Sequence, residues 1–246
     1  MCDRRENLFY DKVAILNQKS ARKLKMAISF AIIPVIELEP VVYSKQTYAL
    51  PNGPINDLPE QWEAYNQKCY QDAGLKNLKA IETGQWLFEL AQIEADHLKI
   101  IFSEIYADYL NDRIKLNELF EDMKDLAPSI CGGFALKDAG QIIHLPACCC
   151  GLESIEEWQV QPDTSITHVW TGHDQEDEVV LEFSTSGVIL SVGKAKRYSF
   201  SKAEYRTLLT QAESTLHHFI ERSATVLNPL FNIQNGRALA EAMIYR

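Results

Sequence analysis

Three consecutive cysteines and two histidines form the part of the sequence that is richest in side chains able to do chemistry. Cys148, Cys149 and Cys150 follow closely after His144, and His173 lies further along the chain. Thiolate and imidazole together can hold zinc. A thiolate beside an imidazole is also the pair used in nucleophilic catalysis. A metal site or a thiol site would therefore use His144, Cys148, Cys150 and His173.

The spacing of these residues argues against both chemistries. Zinc sites use cysteine pairs separated by two to four residues, because the chain between them must wrap around the ion. In an extended segment Cys148 and Cys150 point to one side and Cys149 to the other. Asp174 follows His173 directly and is badly placed to orient its imidazole. We expect the cysteines to be small core side chains, and we expect no cofactor.

A second cluster is acidic and contains a tryptophan. The segment 174–178 carries four acids, Asp174, Glu176, Asp177 and Glu178, and lacks the glycine and glutamate positions of an EF-hand loop. Trp158 is flanked by Glu153, Glu156 and Glu157. A tryptophan among acids is typical of an anchor in a protein interface. The alternative is a core tryptophan beside a solvated acidic loop.

Net charge and composition limit the classes of partner. The chain has 246 residues and a formal net charge of −10, and 46% of its residues are hydrophobic. A folded protein is expected, and nonspecific binding to nucleic acid or to an anionic membrane is disfavoured because both need a basic surface. The longest apolar run, Met26–Ile36, is shorter than the roughly 20 residues of a membrane span. Six cysteines that do not form a disulfide framework predict reduced thiols and a cytoplasmic location.

Periodicity predicts strands and helices in alternation along the chain. Residues 27–38 and 41–50 are strand-like, and residues 58–71, 86–110 and 116–126 are helical. After Pro128 the pattern changes to short strands at 134–136, 142–145, 166–170, 179–183, 188–192 and 198–200. Ser201 and Glu204 form a capping box before an amphipathic helix over about 202–222, and a last helix follows at 236–245. The predicted class is α+β, with a mixed or antiparallel sheet and packed helices.

The domain organisation is expected to be simple. Residues 1–25 carry seven basic and three acidic side chains and few apolar ones, which indicates an N-terminal extension. Residues 26–246 are expected to form one α+β domain, with a soft boundary near 128 that would separate two lobes.

The motifs of residues 128–183 resemble those of a group of uncharacterised bacterial proteins. The shared features are Gly132-Gly133, a Pro-x-Cys-Cys segment at 146–149, Trp158, and Trp170-Thr171-Gly172-His173. This sequence has Asp174 where the group has proline. Some members of the group resemble immunity proteins of bacterial toxin systems in size and acidity.

Two functional hypotheses follow. The first is a non-enzymatic protein that binds another protein, with an immunity protein against a basic toxin domain as its most concrete version. An acidic inhibitor is attracted to a basic toxin electrostatically. The expected contacts are Trp158, Asp174, Glu176, Asp177 and Glu178. The second is a metal- or thiol-dependent enzyme that uses the Cys148–Cys150, His144 and His173 cluster.

Overall fold

Two four-stranded antiparallel sheets form the framework of the protein. The computed structural model describes residues 30–147, 150–169 and 178–245. In the first sheet the strand order is β2-β1-β3-β4, and the strands are β1 (Ala31–Glu37), β2 (Leu87–Glu89), β3 (Gly132–Asp138) and β4 (Gln141–His144). In the second sheet the order is β5-β6-β7-β8, and the strands are β5 (Ile166–Val169), β6 (Val179–Ser184), β7 (Gly187–Val192) and β8 (Lys196–Phe200). The predicted α+β class is confirmed.

Helices precede, separate and follow these strands. In chain order they are α1 (Pro40–Tyr43), α2 (Pro59–Ala73), α3 (Ala95–Ile105), α4 (Ala107–Leu110), α5 (Arg113–Glu121), α6 (Met123–Leu126), α7 (Lys202–Phe231) and α8 (Gly236–Ile244). Short 3-10 helices lie at Leu90–Gln92 and Leu152–Trp158. Within the described ranges, no helix has the length and apolar character needed to cross a bilayer.

The long helix α7 is the element on which the core is built. Its N-terminus is fixed by the predicted capping box, since Ser201 Oγ accepts the Glu204 amide and the Glu204 carboxylate accepts the Ser201 amide. Leu208, Leu216 and Phe219 lie on its buried face. The helix continues to Phe231, beyond the predicted end at 222, because buried side chains continue along the same face.

The core is shared by the two sheets. The ring of Phe30, just before β1, packs against Tyr198 and Phe200 of β8 with centroids 4.8 and 5.1 Å apart. Strands β1 and β3 are paired along most of their length, so the first sheet contains strands from both sides of residue 128.

Three predicted elements differ from the structure, and two of them lie near the edge of the first sheet. Residues 41–50 do not form a strand, because both edges of β1 are already occupied by β2 and β3. Residues 86–110 do not form one helix: Leu87–Glu89 pairs with β1 instead, and the helix begins only at Ala95. The predicted helix over 116–126 is divided at Asp122 into α5 and α6.

Candidate functional site: an aromatic cleft

A cleft of about 460 Å³ lies between α1, α2 and the segment before β2. It is lined by Pro40 and Val41 of α1, by residues 44–48 and Leu50, by Trp62, Tyr65 and Asn66 of α2, and by Trp86. We call it the aromatic cleft. A volume of this size is in the range of sites that hold a small molecule or a side chain.

One wall of the aromatic cleft is an irregular segment, residues 44–53, which we call the strap. The Asp72 carboxylate of α2 holds one end, because it accepts hydrogen bonds from Ser44 Oγ, from the Gln46 backbone amide at 2.8 Å and from Gln46 Nε2. The indole N–H of Trp62 holds the other end by donating to the Gly53 carbonyl at 3.0 Å. The strap is therefore fixed to α2 on both sides of the cleft.

The two tryptophans are each fixed by their indole nitrogen. Trp86 Nε1 donates to the Glu37 carboxylate of β1 at 2.8 Å, as Trp62 Nε1 does to Gly53. The two rings are in edge-to-face contact, with centroids 6.4 Å apart and an angle of 64°. Since both N–H groups are already bonded, the rings offer only carbon and π surface to the cleft.

A turn before Trp86 is packed closely on α2. Gly84 has φ +81°, and a Cβ on it would come within 2.7 Å of the Pro59 carbonyl oxygen, so only glycine allows this approach. The Glu63 carboxylate accepts the Gly84 amide at 3.0 Å. This turn places Trp86 beside Trp62.

Asn66 is the buried polar residue of the cleft. Its side chain is 1% exposed, and Nδ2 donates to the carbonyls of Gly84 at 2.8 Å and Gln85 at 3.3 Å. These bonds fix the orientation of the amide group. Its Oδ1 atom is buried and accepts no hydrogen bond from the described residues. An acceptor in this state is unusual in a folded protein.

The charges at the cleft are mixed. Glu39, just before α1, and Lys45 of the strap both line the cleft and are exposed. Burial raises the pKa of the Tyr65 hydroxyl, and its hydrogen bond with Cys69 raises it further. A tyrosine is neutral near neutral pH even without this shift, so Glu39 is the negatively charged group of the cleft wall.

Exposed apolar side chains lie at the rim of the cleft. Val41 and Leu50 line it and are 57% and 64% exposed, and Val42 beside them is 48% exposed. Leu50 also lines a neighbouring depression of about 370 Å³ between the strap and α2. Apolar residues grouped around a concave surface mark a binding site more strongly than isolated ones do.

The predicted metal or thiol cluster is only partly described. Cys148, Cys149 and His173 lie outside the described residues. Cys150 is buried, and its carbonyl accepts the Gly132 amide at the start of β3. His144 of β4 is buried and lies opposite Leu136 of β3, which is four residues after Gly132. Across the described parts of the chain, no three His, Cys, Asp or Glu residues are grouped as a metal site would require.

Trp158 lies in the core and offers no surface to a partner, which corrects the hypothesis of an exposed anchor. Its side chain is 1% exposed and packs against Phe134 with centroids 6.1 Å apart. Its carbonyl accepts the buried Tyr205 hydroxyl at 2.6 Å. The seven-residue 3-10 helix turns Trp158 inward while Glu153 and Glu156 stay exposed.

Within the acidic segment 174–178, the structure describes Glu178 alone. Glu178 is exposed and its carboxylate pairs with His168 Nδ1 of β5, while its carbonyl accepts the Gly193 amide at 2.9 Å. Asp174, Glu176 and Asp177 lie outside the described residues. Their role in binding a partner stays a prediction.

Sequence reasoning missed the residues that form the aromatic cleft. Periodicity correctly places Trp62 and Tyr65 on a helix, but it also places Trp86 at the start of a helix over 86–110 that does not form. A signal was present: two of the four tryptophans, Trp62 and Trp86, follow the turn cluster Pro51-Asn52-Gly53-Pro54 within a short stretch. The pattern does not show that the two rings meet.

Comparison with known proteins gives no relative from which a function would be inferred. The chain matches no family model, no curated protein and no solved structure.

Proposed function

We propose that the protein is a non-enzymatic binding protein that recognises another polypeptide through the aromatic cleft. The observation that carries this proposal is the exposed apolar rim of Val41, Val42 and Leu50 around a cleft walled by two tryptophans. Tryptophan and tyrosine are enriched in protein interfaces because they bury much area with few rotatable bonds. Strap and helix are tied together, so the surface is formed before the partner arrives, and less ordering is needed on binding.

The most concrete version of this proposal is an immunity protein that acts in the cytoplasm against a bacterial toxin. The net charge of −10 supports it, because an acidic inhibitor associates faster with a basic toxin domain. The partner contact would combine the aromatic cleft with long-range attraction from the acidic surface.

The test uses a matched pair of substitutions at exposed apolar positions. Leu50→Glu changes the cleft rim, and Ile114→Glu changes a residue on α5 that is 71% exposed, against 64% for Leu50. Proteins captured from the native host by the wild-type chain are compared with those captured by each variant, and binding of the captured protein is then measured with purified components. We expect Ile114→Glu to bind like the wild type and Leu50→Glu to lose the partner.

Two outcomes would overturn the proposal. Equal binding by Leu50→Glu would place the interface outside the cleft, and the absence of a polypeptide that binds in purified form would exclude a binding function of this kind. The immunity version is tested separately by expressing the gene of the identified partner in cells, alone and together with this protein. Growth arrest that the wild-type chain relieves and Leu50→Glu does not would support it.

A further inference from the structure

We propose that the aromatic cleft holds an arginine side chain of the partner. This inference rests on the proposed function and names the chemical group that the cleft recognises. It combines three observations: a buried acceptor that lacks a donor, two aromatic walls whose polar atoms are already bonded, and a carboxylate at the edge of the cleft.

The first observation is the Oδ1 atom of Asn66. The amide nitrogen of the same side chain is held by the carbonyls of Gly84 and Gln85, so the amide cannot rotate to bring the oxygen to another partner without losing both bonds. Oδ1 itself is buried and accepts no hydrogen bond within the described chain. A ligand that brings an N–H group to this atom removes the cost of an unsatisfied acceptor.

The second observation is the aromatic character of the walls. Trp62 and Trp86 have both indole N–H groups engaged, and Tyr65 is neutral near neutral pH. Their negative π surfaces attract a cation placed over them. A purely apolar side chain would fill the same space and would leave Asn66 Oδ1 unsatisfied.

The third observation is the charge at the edge. Glu39 lines the cleft and is exposed, so its carboxylate is available to a cation entering from solvent. Lys45 lines the cleft from the strap and would repel that cation. The two residues are therefore expected to have opposite effects on a bound cation: Glu39 strengthens its binding and Lys45 weakens it.

Among cations, guanidinium fits these features best. It is planar and weakly hydrated, stacks on aromatic rings, and carries five N–H donors that reach an amide oxygen and a carboxylate together. An ammonium is compact and more strongly hydrated. A quaternary ammonium suits an aromatic cage but has no N–H to donate to Asn66.

The experiment titrates the full chain with four short capped peptides that differ only in the central residue: arginine, lysine, citrulline or norleucine. Binding is followed by the nuclear magnetic resonance signals of the Asn66 side-chain amide and the tryptophan indole N–H groups. We expect the arginine peptide to bind at least about fivefold more tightly than the norleucine peptide, with citrulline between them because it keeps only some of the N–H donors and loses the charge.

Variants at exposed positions test the roles of the charges. Glu39→Gln is expected to weaken binding of the arginine peptide and to leave binding of the norleucine peptide unchanged. Lys45→Gln is expected to strengthen binding of the arginine peptide. Glu60→Gln, an exposed acid of α2 that does not line the cleft, is the matched control and should change neither. Because these residues are exposed, folding of the variants is not at risk, whereas Asn66→Leu would remove the two hydrogen bonds to Gly84 and Gln85.

The outcomes separate this inference from the proposed function. Equal affinities for the arginine and norleucine peptides, or an unaltered arginine affinity in Glu39→Gln, would overturn the arginine assignment even if Leu50→Glu abolishes partner binding. Arginine binding without any polypeptide partner would support the assignment and overturn the proposed function. Arginine binding that appears only after deletion of the basic residues 1–25 would identify that segment as the occupant and overturn the partner assignment.

Discussion

Trp86 donates its indole N–H to the carboxylate of Glu37 at 2.8 Å, across the pairing of β1 with the segment that leads into β2. A second bond joins the same two segments, since the amide of Leu38, next to Glu37, donates to the carbonyl of Trp86 at 2.9 Å. One wall of the aromatic cleft is therefore fixed to the edge of the first sheet. Helix α2 and the strap complete the cleft around this fixed ring.

Release of the strap is the first testable consequence. Asp72→Ala removes the acceptor of three hydrogen bonds from Ser44 and Gln46. We expect a loss of about 1–2 kcal/mol in the free energy of unfolding and faster proteolysis within 44–53, because the segment loses one of its two attachments. Urea denaturation and limited proteolysis measure both effects. Asp96→Ala, which removes an exposed ion pair with Lys99, should leave the free energy of unfolding nearly unchanged. Unaltered proteolysis in Asp72→Ala would show that the strap is held by other contacts.

The buried position of Trp158 gives the second prediction. Trp158→Ala should lower the free energy of unfolding by about 3–5 kcal/mol, because it leaves a cavity beside Phe134. Glu156→Gln, an exposed neighbour on the same 3-10 helix, should stay within about 0.5 kcal/mol of the wild type. Thermal and urea denaturation are the measurements. A Trp158→Ala variant that keeps its stability and loses partner binding would restore the hypothesis of a surface anchor.

Buried tyrosines set the third prediction, which concerns alkaline pH. Burial raises the pKa of the hydroxyls of Tyr43, Tyr70, Tyr106 and Tyr205. In the unfolded chain these groups ionise near pH 10, so above that pH the folded state binds more protons than the unfolded state and stability falls as the pH rises. We expect full stability below about pH 9 and a cooperative loss between roughly pH 10 and 12.

The measurement follows tyrosinate absorbance and circular dichroism together through this range. Exposed tyrosines should titrate first, and the buried ones should ionise only when the dichroism signal is lost. In Tyr205→Phe the alkaline slope should be smaller, and stability near pH 7 should fall by about 1 kcal/mol because the bond to the Trp158 carbonyl is lost. Complete tyrosine ionisation in the folded state would contradict this account.

The acidic segment gives the fourth prediction. Neutralising Asp174, Glu176, Asp177 and Glu178 together should slow association with the partner by about tenfold at low salt and reduce its salt dependence, because long-range attraction acts mainly on the association rate. Stability should change little, since the described pair of Glu178 with His168 is exposed. Stopped-flow kinetics at two ionic strengths measure the association rate, and Asp96→Asn is the single-site control. An unchanged association rate would leave the segment as a solvated turn.

The cysteine cluster gives the fifth prediction. We expect the protein, purified without added metal, to contain no stoichiometric zinc, and Cys150→Ser to alter stability without altering metal content. Elemental analysis of the wild type and of Cys148→Ser checks it. One zinc per chain that is lost together with stability in Cys148→Ser would establish a structural metal site, because metal binding and folding are then coupled.

The sequence alone determined those elements whose signals are local. The capping box of Ser201 and Glu204 forms as predicted. Gly74 ends α2 in the left-handed conformation, and Ala139 and Gly140, both with positive φ, form the turn between β3 and β4. Each depends on hydrogen bonds or backbone angles within a few residues, and the residue types fix those directly.

Only the tertiary structure decided the aromatic cleft and the position of Trp158. Residues 41–50 have the composition of a strand, yet β2 and β3 occupy both edges of β1. The first of these residues belong instead to α1, and the rest form the strap over α2. Residues 87–89 fit a helical stripe, yet pairing with β1 keeps them extended and brings Trp86 to Trp62. Which edge is free and which rings meet depends on contacts between residues distant in the chain, and local periodicity carries no information about them.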